Sequence, residues 1–422
     1  MSTILKEEKK YIFKCVNCNT IIQPIGIQYL CPKCEIENSI KLPPKGVLNT
    51  LYNFDNISKK VKTFKTLKDR EYFDILPINS IESLGYLRVG RTPLYNIHKL
   101  NSENLNFELL LKDDSQNPTF SFKDRASILV SAFAKENNTN TIVAASTGNA
   151  GSSLAGICAS QEQKAVIFVP SSAPIAKLTQ IVMYGATIVT IDGNYDMAFD
   201  LSIAVSKHFG WFNRNTAYNP LTIEGKKTVS FELFDQLNEQ IPDRIFVPVG
   251  DGVIISGVYK GFEDLLKLGF IEKMPVIIAV QSEGSKNLIA NIKSKTWKTI
   301  PSTTLADSIS VDIPRNFYMT RDYIQKYDGE IVAVSDDEII DASRILSRNT
   351  GIFAEPAASA AFAGMLKYKS LNRITDGSKN VVLLTGSGLK DIKTLSSVIT
   401  IPKPLKPEID SIVDYLSDLK KI

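Results

Sequence analysis

An α/β fold built on parallel sheets is what this 422-residue sequence predicts, and three observations predict it. Six short apolar, β-branched runs recur along the chain: TIVAAS (141–146), KAVIFVP (164–170), TIVTID (187–192), RIFVPVG (244–250), PVIIAVQ (275–281) and NVVLLTG (380–386). They are mostly apolar at successive rather than alternate positions, the pattern of strands buried on both faces. Helix-length stretches such as AGSSLAGICASQ and SGVYKGFEDLLKLG separate them, the alternation that right-handed βαβ crossovers need. The length exceeds one ordinary core and predicts about two or three domains.

From the N-terminus, MSTILKEEKKY lacks the hydrophobic segment of a signal peptide. No apolar run approaches the roughly 20 residues of a bilayer span, so a cytoplasmic location is expected. Forty-nine basic residues against 45 acidic ones advertise no nucleic-acid groove. Four of the five cysteines, Cys15, Cys18, Cys31 and Cys34, form two CxxC knuckles separated by 12 residues. That spacing matches a four-thiolate structural zinc site in a ribbon; a pair of disulfides is the rival, disfavoured in a cytoplasmic chain. Cys158, in SLAGICAS, reads as a buried helix residue. With only His98 and His208, neither in a catalytic-looking setting, Ser-His and Cys-His hydrolase schemes are poor candidates.

After a connecting segment containing PPKG, NPTFSFKDRAS (117–127) places Lys123 among Phe120, Phe122 and a helix start. A solvated lysine is the bland reading. Burial would lower the amine's pKa and leave a free nucleophile suited to Schiff-base chemistry. Three small or glycine-rich turns follow predicted strands: STGNAGSS (146–153), VGDGVIISG (249–257) and TGSGLKD (385–391). Such turns at strand carboxyl ends, opening helices, suit phosphate or carboxylate. None is a GxxxxGK[ST] or a full GxGxxG, which counts against nucleoside-triphosphate and dinucleotide readings.

In order along the chain, GRTPLYNIHKL (90–100), NPTFSFKDR (117–125), STGNAGSSLAG (146–156), NPLTIEGKKT (219–228), VPVGDGVIISGVYKGF (247–262), GIFAEPAASAA (351–361) and LTGSGLKD (384–391) resemble the threonine-synthase-like members of the fold-type-II pyridoxal-phosphate enzymes. The resemblance implies a tryptophan-synthase-β-like fold of two parallel-sheet domains plus the ribbon. Its expected divisions are a zinc ribbon at 1–40 and an N-terminal segment with the start of the large domain at 41–110. A smaller domain follows at 111–210, with the Schiff-base lysine and substrate-carboxylate loop, and the large phosphate-binding domain occupies 211–422. It also implies closure of the smaller domain over substrate.

By the same resemblance Lys123 is the Schiff-base residue and proton shuttle. Ser146, Thr147, Gly148, Asn149 and Ala150 grip the substrate carboxylate, and Asn149 also reaches the cofactor's 3-hydroxyl. Gly250, Asp251, Gly252, Val253 and Ile254 hold the cofactor phosphate, and Thr385 faces the pyridine nitrogen. Asp124 and Arg125 support the lysine's turn, while Glu355 is either a cofactor-proximal carboxylate or a helix cap. The implied enzyme is a pyridoxal-phosphate-dependent lyase, expected as a homodimer in amino-acid biosynthesis, with threonine synthase as the leading activity. A β-replacement enzyme of cysteate- or cysteine-synthase type, a threonine or serine dehydratase, and a non-catalytic ribbon-bearing binding protein are the alternatives. The sequence departs from the family at Thr222, where an arginine binds substrate phosphate, and at Ala150 and Asp251. Lys177, Lys226 and Lys227 are the candidates to restore the missing charge, with ordinary solvated lysines as the alternative reading.

Overall fold

The computed structural model describes residues 9–39 and 41–419. Residues 1–8, 40 and 420–422 lie outside it, and with them most of MSTILKEEKKY and the outer edges of the first and last expected domains. Near the N-terminus β1 (Tyr11–Cys15), β2 (Ile21–Ile22) and β3 (Leu48–Tyr52) form an antiparallel sheet in the order β2-β1-β3. Its last strand thus lies past residue 40.

β4 (Leu94–Leu100) and β5 (Glu103–Asp113) pair antiparallel. β6 (Thr141–Ala145), β7 (Lys164–Pro170), β8 (Thr187–Ile191) and β9 (Phe212–Asn213) make an all-parallel sheet, ordered β8-β7-β6-β9. β10 (Arg244–Pro248), β11 (Val276–Ser282), β12 (Glu330–Val334) and β13 (Lys379–Leu384) join the hairpin in a second sheet, ordered β12-β11-β10-β13-β5-β4. Only the β4–β5 edge of that sheet is antiparallel.

Both sheets are covered on both faces, which is why their strands read as continuous apolar runs. One face of the larger sheet packs Ile245, Val247, Ile277 and Val381, and the other Phe246, Ile278, Val280 and Val382. In the smaller sheet Ile142 and Ala144 face one core and Val143 and Ala145 the other. Five helices carry the residues that matter below: α1 (Asp124–Glu136), α2 (Asn149–Ser160), α3 (Leu221–Lys226), α4 (Val253–Lys267) and α5 (Pro356–Ser370). α3 is wedged between α1 and α4 by glycines. A Cβ on Gly257 would stand 2.7 Å from the Lys226 Cβ, and one on Gly225 would meet the Arg125 backbone. No described helix is long and apolar enough to cross a membrane.

Candidate active site

The carboxyl ends of β6, β10 and β13 open onto one cavity of about 950 Å³. Lys123, the loop Ser146–Ala150, the turn Gly250–Ile254, Glu355 and Thr385 all line it. Lys123 reaches the wall because the preceding turn is stitched to the end of β13. The Phe122 N–H donates to the Thr385 carbonyl at 2.9 Å, and the Ser387 N–H donates to the Phe120 carbonyl at 3.1 Å. Phe120 takes a φ of 68°, an uncommon conformation for an aromatic residue that the pairing on either side holds in place.

Burial lowers the Lys123 amine's pKa and Arg214 adds to the effect, against the opposing pull of Glu355 and Asp251. The expected supports behave as supports. The buried Asp124 carboxylate accepts from the Thr119 backbone N–H at 2.7 Å and from its hydroxyl at 2.5 Å. Arg125 is buried between Asp114 (2.6 Å) and Glu232 (2.6 Å), and Lys112 also pairs with Glu232 at 2.8 Å.

Asn149, in the first turn of α2, donates from its amide to both oxygens of Glu355 at 3.0 and 2.8 Å. Glu355 precedes α5 yet makes no side-chain cap bond, so of its two expected readings the helix cap falls away. Its carboxylate lies in the cavity wall, buried. The turn Gly250–Ile254 needs its glycines. Gly252 has a φ of 86°, and a Cβ there would collide with the Thr320 hydroxyl; one on Gly250 would come within 2.9 Å of the Ile309 Cα. This leaves backbone N–H groups at the N-terminus of α4 open to an anion. Asp251 accepts from the Arg315 backbone N–H at 3.0 Å.

Of the residues expected to supply charge, most are engaged elsewhere. Lys227 is buried against Glu224 (2.6 Å) and Asp264 (2.7 Å), and Lys177 pairs with Asp307 at 2.6 Å. The buried Thr222 hydroxyl donates to the Asn219 carbonyl at 2.7 Å and stays outside the cavity lining. Lys226 is different: fully buried, in the cavity wall, with no hydrogen-bond partner for its amine among the described residues. Beside it lies Arg214, also fully buried, which sequence reasoning missed because FNRN reads as a polar strand end. Its Nε donates to the Ser127 hydroxyl at 3.2 Å and its Nη1 to the Thr216 hydroxyl at 2.9 Å.

The sulfurs of Cys15, Cys18, Cys31 and Cys34 all lie within 4.8 Å of one another, with Cys15–Cys34 at 3.8 Å and Cys18–Cys31 at 3.6 Å, and no disulfide joins them. Four thiolates at about 2.3 Å from a tetrahedral zinc would stand about 3.8 Å apart, so the donor set fits that metal. The ribbon is docked beside the cavity. Tyr29 stacks on Tyr218 with ring centroids 4.6 Å apart, and its hydroxyl accepts from the Asn213 N–H at 2.7 Å. Leu30, Glu35, Asn38 and Leu42 line the cavity.

The pattern defining the family "Pyridoxal-phosphate dependent enzyme" matches residues 86–386. Threonine synthase from Methanocaldococcus jannaschii is 33% identical over 406 residues, covering 94% of this chain and 96% of that protein. The Methanosarcina acetivorans threonine synthase is 32% identical over 408 residues, covering 95% and 98%. Among solved structures, the processed form of threonine deaminase isoform 2 from Solanum lycopersicum superposes with a TM-score of 0.65 at 21% identity, covering 78% of this chain and 92% of that one. Maize serine racemase gives 0.63 at 23%, covering 73% and 91%. At these identities the structures share the fold.

Proposed function

The chain belongs to the pyridoxal-phosphate-dependent enzymes, and from that premise we propose that it is a threonine synthase, converting O-phosphohomoserine and water to threonine and phosphate. One observation carries the choice within the family: the likeness to threonine synthases extends over 94–95% of the chain at 32–33% identity, far beyond a shared cofactor motif. Dehydratase chemistry is the second reading, kept because Thr222 stands where threonine synthases carry the arginine for the substrate phosphate.

The residues fit the cofactor. Lys123 offers a partly desolvated amine, Asn149 a side-chain amide, Thr385 a hydroxyl at the carboxyl end of β13, and Gly250–Ile254 a phosphate cradle. When bound, pyridoxal phosphate supplies a carbonyl for amine capture and a conjugated ring that accepts the electron pair left at Cα. The protein does the rest. In the loop Ser146–Ala150 the Ser146 N–H is given to the Phe168 carbonyl, so the backbone N–H groups of Thr147, Asn149 and Ala150, at the start of α2, hold the substrate carboxylate, with the helix dipole favouring the anion. Lys123 takes the proton from Cα, a role suited to an amine whose pKa burial has lowered. Glu355 fixes the Asn149 amide with two bonds, so that the group reaching the cofactor is oriented before substrate arrives.

A zinc ion on Cys15, Cys18, Cys31 and Cys34, supported by the sulfur separations, belongs to the same proposal. So do a cytoplasmic location and a homodimer; the terminal helix Ile409–Leu419, with Ile409, Ile412, Val413 and Leu416 exposed, offers apolar surface that an assembly would cover. Sedimentation at micromolar concentration checks the dimer.

The direct test scans purified protein for an absorbance band near that of a lysine-bound cofactor, then supplies O-phosphohomoserine, O-phosphoserine, threonine and serine separately. Phosphate and threonine are expected from O-phosphohomoserine alone, and Lys123→Ala should lose both band and turnover. A 2-oxo acid from threonine or serine, with no threonine formed, would replace this reading by the dehydratase one.

A further inference from the structure

Six cationic side chains are fully buried among the described residues: Lys112, Arg125, Arg214, Lys226, Lys227 and Lys260. Four of them are paired with carboxylates. Lys112 and Arg125 share Glu232, while Lys227 and Lys260 share Asp264. Arg214 and Lys226 form no salt bridge among the described residues, and both face the cavity. A buried cation without a counter-ion costs several kcal/mol, so a fold that spends four carboxylates on its other buried cations but none on these leaves room for an anion from outside.

The local build rules out the bland explanations. Lys226 closes α3, whose backbone is pinned on one side by Arg125 and on the other by Gly257, so its stem cannot retreat. Burial, with Arg214 and Lys123 nearby, lowers the pKa of its amine, and Asp251 opposes this only in part. Asp251 itself is tied to the Arg315 N–H. Burial also pulls the Arg214 guanidinium down to about 10, which still leaves it charged at neutral pH. Two of its donors are fixed by Ser127 and Thr216, and its third bond, to the Lys123 carbonyl at 3.5 Å, is weak. That orients the planar group and leaves N–H capacity facing the cavity.

We propose that Arg214 and Lys226 form the subsite for the substrate's leaving phosphate, a phosphomonoester dianion, in place of the arginine whose position Thr222 occupies. The assignment rests on the threonine-synthase reading for the identity of the substrate, and it names the residues that select a phosphorylated side chain. The cofactor's own phosphate is assigned to the backbone N–H groups at the start of α4. The two cations are therefore specificity determinants for the second anion. Once phosphate enters, it supplies the missing countercharge.

The test uses the cofactor-loaded enzyme with inorganic phosphate as probe, read by thermal shift, alongside steady-state kinetics. Wild-type protein should be stabilised by millimolar phosphate and should turn over O-phosphohomoserine. Lys226→Met should abolish the phosphate-induced shift and raise KM about 10- to 100-fold, the scale of a charge-assisted bond, with half-saturation by pyridoxal phosphate within about twofold of wild type. Lys226→Gln serves as the second variant if the methionine variant is poorly soluble, and Lys226→Arg should restore most of the phosphate response. The inference falls if the variants keep both the wild-type KM and the phosphate shift, or if they lose cofactor affinity instead, since Lys226 would then serve the cofactor's phosphate. Failure of wild-type turnover with a Lys226-dependent phosphate shift would sink the named activity and leave the anion subsite standing. Absence of any phosphate shift in the wild type overturns the subsite.

Discussion

Glu355 gives its carboxylate to Asn149 rather than to the helix it precedes. Burial is the largest influence on it and pushes its carboxyl above the ordinary 4.5, while Asn149 and Lys123 pull back. An acid held above its unfolded value binds more protons when folded, so its contribution to stability falls as pH rises from about 4.5 through the folded value. Glu355→Gln should therefore melt about 1–3 °C above wild type at pH 7, with the gap closing as pH is lowered to 4.5. Thermal melts across that range check it. Burial set by sequence neighbours, as that of the Lys123 amine is by Phe122 and the start of α1, was legible beforehand. Glu355 could be read only as cap or cavity carboxylate, because the choice depends on Asn149, 206 positions away. Arg214 carried no local signal at all; only the docking of β9 beside β6 turns it toward the site.

At the scale of elements, the network of Arg125, Asp114, Glu232 and Lys112 clamps the start of α1 to the end of β5 and to the helix Thr228–Gln236. Burial works against the Glu232 charge, yet Arg125 and Lys112 outweigh it and hold the carboxyl at about 2. Its stabilisation is present above the ordinary 4.5 and is lost as pH falls from there toward 2. Arg125→Met, which leaves Asp114 without its cation and Glu232 with Lys112 alone, should cost about 3–5 kcal/mol in urea unfolding. The ribbon is a second clamp, through Tyr29 on Tyr218. Removing the zinc proposed for its four cysteines with a chelator should lower the melting temperature and raise KM severalfold, because Leu30 and Glu35 wall the cavity, while the cofactor's absorbance stays unchanged. The six strands read from the sequence all form. The β4–β5 hairpin escaped because an edge strand such as LYNIHKL mixes polar with apolar residues, and β9 escaped because two residues carry no period.

For the whole molecule, the parallel order of both sheets follows from the strand–helix alternation, and the site lies where their carboxyl ends meet. That alternation was plain in the sequence, and so were the glycine turns. What stayed hidden was which turns share one cavity, since that depends on the crossover that sets β13 between β10 and β5. Equally hidden was the seating of the ribbon against the smaller sheet. This seating has a consequence for anyone wishing to shorten the chain. Tyr218 and Phe212 meet Tyr29 across the seam, and the Asn213 N–H has its acceptor there. A catalytic core cut free after Tyr52 would bare that aromatic face and orphan that donor. The ribbon is thus no detachable module but a missing wall once removed, and such a fragment should clump rather than work as a smaller enzyme.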